Sequence, residues 1–208
     1  MSLKSAITGV FNDLAGLIMG SSKSKLILPE EDLAFLQKNT SFDEKEIKRW
    51  YKDFQKDCPD GQLSSTQFVG NYKKLFPDGT NADEFCSHIF RTFDKDNSGS
   101  VDFKEFLLAI NVTSTGSAEE KLKWAFKMYD IDGDGAIEEP EMINIVRACY
   151  QVMQTGPMEL SESPEERART IFKRMDVNSD GQVTEAEFVA GCLHDEELSK
   201  MLNPGAMQ

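Results

Sequence analysis

Three times along this 208-residue chain, a helical run of apolar residues breaks into twelve mostly polar positions and then resumes. Before the breaks, apolar side chains fall on one helical face as Ile89, Phe90 and Phe93, as Ala125, Phe126 and Tyr129, and as Ile171, Phe172 and Met175. After them the spacing returns as Phe106, Leu107 and Ile110, as Met142, Ile143 and Val146, and as Phe188, Val189 and Cys192. A fourth copy lies upstream, with Trp50, Tyr51 and Phe54 leading in and Phe68, Val69 and Tyr72 leading out. The pattern predicts an all-α fold of four helix-loop-helix repeats.

The polar stretches are DKDNSGSVDFKE from Asp94, DIDGDGAIEEPE from Asp130 and DVNSDGQVTEAE from Asp176. Asp opens each, Gly stands at position 6, an aliphatic residue at 8 and Glu at 12, which is the EF-hand calcium loop. A hard cation of that size takes six to eight oxygens, so a loop around it must turn alternate residues inward. The expected ligands are Asp94, Asp96, Ser98, Ser100 and Glu105; Asp130, Asp132, Asp134, Ala136 and Glu141; and Asp176, Asn178, Asp180, Gln182 and Glu187. Ser100, Ala136 and Gln182 would serve through their backbone carbonyls, so their side chains matter little. A closing Glu can bind through both oxygens, favouring calcium over octahedral magnesium, which is expected only where calcium is scarce. At positions 1, 3, 5, 9 and 12 the Asp130 loop has five acidic groups (Asp130, Asp132, Asp134, Glu138 and Glu141), the Asp94 loop four and the Asp176 loop three, so filling should begin at Asp130. Asp102 and Thr184, each with Glu three residues on, should cap the outgoing helices.

The upstream copy has lost its ligands. With Gly61 at position 6 and Leu63 at position 8, position 1 is Lys56, position 3 is Cys58 and position 12 is Gln67, and Pro59 stiffens the turn. The lead-in residues stop one position early for that register, which implies a longer loop. Ser64 and Gln67 keep a capping box, so the repeat should survive as a structural partner. Paired loops would join by a short antiparallel bridge at position 8, Leu63 with Val101 and Ile137 with Val183. The resulting division is an N-terminal extension (1–24), a first lobe (25–112), a second lobe (118–193) joined to it by a short link, and a C-terminal helix and tail (194–208).

Charge and cysteines narrow the function. A net charge of -13 repels nucleic acid, and three divalent ions would roughly halve it. Cys58, Cys86, Cys149 and Cys192 are widely spaced, as expected of reduced thiols in the cytoplasm. Neither His88 nor His194 accompanies a nucleophile motif or a phosphate loop, so no enzyme is expected.

The inactive loop with its Cys-Pro, the three complete loops, and the stretches WYKDFQKDCPDGQL (50–63), HIFRTFD (88–94), DFKEFLLAINVTS (102–114) and EEKLKWAFKMYD (119–130) resemble the neuronal calcium sensor family, in its hippocalcin, visinin-like and frequenin branch. The resemblance covers about residues 20 to 202. It implies a calcium sensor that exposes an apolar groove and grips the amphipathic helix of a target protein, with peripheral contact to membranes. Trp50, Phe54, Phe68, Phe85, Ile89 and Phe103 are the groove candidates. The rival expectation is a calcium buffer that binds metal without opening. Members of that family usually begin Met-Gly and carry a myristoyl group, whereas here the matching Met19-Gly20-Ser21-Ser22-Lys23-Ser24 is internal. Ile7, Val10, Phe11, Leu14, Leu17 and Ile18 ahead of it would make an apolar helical face.

Overall fold

Three of the four repeats begin at a side-chain cap, the second, entered from Ala82, being the exception. In a computed structural model that describes residues 27–73, 82–153 and 163–194, the side chains of Asp43, Asp102, Ser117 and Ser163 accept from the amide three residues ahead. The Glu at that third place reaches back to the cap amide in every case. The first lobe comprises α1 (Glu30–Asn39), α2 (Glu44–Asp57), β1 (Gln62–Ser64), α3 (Ser65–Lys73), α4 (Asp83–Phe93), β2 (Ser100–Asp102) and α5 (Phe103–Thr115). The second comprises α6 (Ala118–Tyr129), β3 (Ala136–Ile137), α7 (Glu139–Met153), α8 (Pro164–Met175), β4 (Val183–Thr184) and α9 (Glu185–His194). The 1–24 extension with its Met19-Gly20 motif, and the tail from 195 onward, lie outside the described residues.

Paired loops join as their apolar position 8 predicts. Leu63 stands opposite Val101 and Ile137 opposite Val183, in two separate antiparallel pairs. All four side chains are buried, so each bridge is also part of the core. The first repeat corrects one expectation. Its helix does not stop early but continues through Lys56 and Asp57 to a C-cap at Cys58, so the loop is shortened. The cause is local: without an Asp at position 1 to gather the loop amides, Lys56 stays helical and pairs with Asp53 at 2.6 Å.

Buried apolar residues from Leu36 to Val189 form one cluster spanning both lobes. At its middle, Phe93 meets Phe68 (ring centroids 5.2 Å) and Phe106 (6.3 Å) of its own lobe and Trp124 of the other (6.2 Å, edge-on). Within the first lobe, a surface tie joins the α1–α2 turn to α5, where Ser41 donates from its amide and hydroxyl to Asn111 Oδ1 at 2.8 and 2.9 Å.

The connection between lobes is tight. Helix α5 extends through Thr115, and Gly116 then turns the chain so that its amide donates to Val112 O at 3.0 Å. A Cβ at Gly116 would lie 2.4 Å from that carbonyl oxygen, so the turn cannot accept a side chain without moving. Gly116→Ala should therefore lower stability by ~1–3 kcal/mol, the usual cost of forcing an extra methyl into a filled space. Urea unfolding would show it as a lower midpoint with an unchanged slope.

Candidate metal centres

An Asp at position 1 organises each complete loop by collecting amides. In the first, Asp94 is buried (7% exposed) and accepts from Ser98 N and Gly99 N, both at 2.9 Å. Asp130, 8% exposed, accepts from Gly133 N at 2.8 Å and Gly135 N at 3.1 Å. Asp176 accepts from Asp180 N at 3.2 Å and Gly181 N at 3.0 Å, but is less buried. Delivering the position-6 amide requires a left-handed backbone, with φ of 85° at Gly99, 94° at Gly135 and 86° at Gly181. Space around these glycines is open, so conformation and not crowding requires them.

Position 12 separates the loops. Glu105 reaches across its loop, one oxygen accepting from Lys95 N at 2.9 Å and the other from Asp102 N at 3.0 Å. Glu141 does the same, to Ile131 N at 2.6 Å and Glu138 N at 2.9 Å. Each carboxylate thus ties the start of a loop to the helix that leaves it. Glu187 has only the capping half, accepting from the amide and hydroxyl of Thr184 at 3.0 and 2.8 Å.

The donor sets differ accordingly. Oxygens of Asp94, Asp96 and Glu105 lie within 4.8 Å of one another, and so do those of Asp130, Asp132 and Asp134. Three or more close carboxylates with backbone carbonyls nearby fit a hard divalent cation. Among the described residues the Asp176 loop forms no such group. There Asn178 donates its side-chain amide to Asp180 Oδ2 at 2.8 Å, engaging an oxygen the loop would otherwise offer. Position 4 adds a cost that the sequence pattern left unnoticed: it is left-handed in all three loops, occupied by Asn97, Gly133 and Ser179. Gly133 adopts it freely and Asn97 readily, whereas Ser179 at φ 58° is disfavoured.

Ser98 and Ser100 meet inside the first loop, Ser98 Oγ donating to the Ser100 carbonyl at 2.8 Å. Ala136 and Gln182 each donate an amide to Asp134 and Asp180, both at 2.9 Å. Of the groove candidates, Trp50 is half-buried, while Phe54, Phe68, Phe85, Ile89 and Phe103 are all buried. Phe54 packs between Phe103 (5.6 Å) and Phe106 (5.3 Å), and Phe68 against Phe90 at 5.5 Å. In this state they belong to the core. All four cysteines are free, and burial drives each thiol pKa up to about 12. Among the described residues, no helix is long and apolar enough to cross a membrane.

Residue 91 carries a contact that spacing could not foretell. Arg91, near the end of α4, donates Nη2 to Met128 O in the other lobe at 2.7 Å. An Arg three places before a loop reads in sequence as an ordinary exposed cation.

Two stretches match the EF-hand domain pair family, residues 59–111 and residues 119–193. Among curated proteins, the chain is 40% identical to human (Homo sapiens) recoverin over 188 residues, 88% of this chain and 93% of recoverin. It is 44% identical over 135 residues to neuronal calcium sensor 1 of Lymnaea stagnalis, covering 65% of this chain and 69% of that protein. With guanylyl cyclase-activating protein 2 of Gallus gallus it shares 37% identity over 177 residues, 80% of this chain and 87% of the relative.

Proposed function

The chain belongs to the neuronal calcium sensor family, and from that premise we propose that it is an intracellular calcium sensor with about three sites, which acts on a target protein through apolar surface that opens on loading. The residues that would hold the ions are those of the three loops, with the Asp94 and Asp130 sets best assembled and the Asp176 set least. Calcium, when bound, supplies two positive charges and a demand for carboxylate oxygen in each loop.

The observation that carries the reading is how the loops are wired to the core. Phe93 and Tyr129, 0% and 1% exposed, immediately precede Asp94 and Asp130. Glu105 and Glu141 sit in the first turns of α5 and α7, whose apolar faces complete the same core. A Glu drawn inward from its hydrogen bonds moves the helix it belongs to, and with Glu105 go Phe103 and Phe106. Phe103 contacts Tyr51 (4.9 Å) and Phe54, so the α2–α5 seam is the part of the core best placed to open. Such an aromatic seam suits an amphipathic helix, its apolar face laid into a groove. One relative's name states that it activates guanylyl cyclase, which is an action on another protein.

The test is a calcium titration in physiological magnesium, followed with a hydrophobic fluorescent dye. Fluorescence should rise as the sites fill. Filling without any rise would overturn the sensor reading and leave a buffer.

A further inference from the structure

The helix that leads into the Asp130 loop ends with carbonyls its own backbone cannot use. In α6 the last internal bond runs from Asp130 N to Phe126 O, which leaves the carbonyls of Lys127 onward without an intrahelical amide. A cation from the other lobe takes their place. Arg91 Nη2 donates to Met128 O at 2.7 Å and makes longer contacts, both 3.4 Å, with Lys127 O and Asp130 O. A guanidinium suits this position, since its donors are fixed in a plane and it is favourable at the negative end of a helix dipole.

The location of Arg91 on its own side matters as much. It lies in the last turn of α4, three residues before Asp94. Its Nη1 also contacts His88 Nδ1 on α4, but at 3.5 Å, much longer than the 2.7 Å contact of Nη2 with Met128 O. Burial pushes the pKa of Arg91 down, and the nearby acids Asp130, Glu141 and Asp132 oppose that shift. One side chain therefore spans from the last turn before one loop to the first residue of the next.

We infer that Arg91 is a positioning residue that couples the Asp94 and Asp130 loops, by capping the helix that enters the second with a cation carried by the helix that enters the first. A change in the Asp94 loop that tilts the end of α4 shifts the cap on α6, and the Asp130 loop responds because the capped carbonyls include its own first residue. By linkage the effect is reciprocal.

The inference rests on the proposed filling of both loops, and the experiment keeps the two apart. Calcium affinity at the Asp130 loop would be measured on the full chain by chelator competition, with the amide resonances of Gly99 and Gly135 reporting which loop fills. In an otherwise native chain, Glu105→Gln should change affinity at the Asp130 loop by about fivefold or more, the lower bound of ordinary coupling. In an Arg91→Met background the same substitution should change it by less than about twofold. If Arg91→Met does not fold, Arg91→Lys serves instead, because an ammonium keeps the charge but loses the planar fork. Its factor should fall below the native one. A factor unchanged by either replacement, or no effect of Glu105→Gln in the native background, overturns the inference. A Gly99 resonance that ignores calcium would instead sink the proposed filling of that loop, and the inference with it.

Discussion

Calcium binding at residues 130–141 should weaken by about 100-fold in Glu141→Gln, the largest affinity loss expected from a single substitution in this chain. Removing one partner from a charged, partly buried group costs ~3 kcal/mol or more, which corresponds to that factor. Asp130, Asp132 and Asp134 are already gathered, so Glu141 is the remaining carboxylate needed to close the shell, and the amide would remove both a negative charge and a two-oxygen ligand. Glu141 holds Ile131 N and Glu138 N through separate oxygens, and Gln, with a single acceptor oxygen, can keep only one of them, which loosens the tie between the start of the loop and α7. Glu187→Gln should cost least, since Glu187 makes only the capping contact to Thr184. Calorimetric titration of the three position-12 variants separates these cases, and an equal loss at every loop would refute the ranking.

Stability rather than affinity is at stake at Phe93. This side chain is 0% exposed and meets Phe68, Phe106 and Trp124, so it fills the junction of two repeats and two lobes. Truncation to Ala leaves a cavity that all three neighbours would have to close together, and buried Phe→Ala changes cost ~3–5 kcal/mol. We expect Phe93→Ala to lower the unfolding midpoint of both lobes at once, seen as coincident transitions by near-UV and far-UV circular dichroism. A loss confined to residues of the first lobe would show that the core is not shared.

The parts of this architecture legible in the sequence are those written in local periodicity. Asp, Gly, an aliphatic residue and Glu at fixed places in three loops define where helices stop, where the chain turns and which residues pair, and Leu63–Val101 and Ile137–Val183 follow from that register. Capping boxes at Asp102 and Ser64 are equally local. What escaped was set by competition or by distance. Lys56 reads as a failed ligand, but with no Asp there to gather the loop amides the helix runs on through it, where it pairs with Asp53. Asn178 and Asp180 read as two ligands, yet a side-chain bond between them only becomes visible once the loop is folded. Arg91 was illegible for another reason, because its acceptors lie 36 to 39 residues away and are backbone atoms, which carry no residue signature. Likewise the groove candidates share an apolar pattern with every core residue, and the state described keeps Phe54, Phe68, Phe85, Ile89 and Phe103 closed.

The pairing of β1 with β2 bears on the thermodynamics of loading. Three residues of a loop that needs no ion hold Ser100–Asp102 in an extended ladder, whereas in the second lobe the ladder is two residues long and both strands come from metal-type loops. One expected ligand of the Asp94 site, Ser100, is thus held against a strand from a loop that lacks the ligand pattern. Less chain freedom remains to be surrendered there on binding. Loading at the Asp94 loop should accordingly show a smaller unfavourable entropy than loading at the Asp176 loop, a difference that calorimetry of the separate sites would read, with the first repeat acting as a splint for the second.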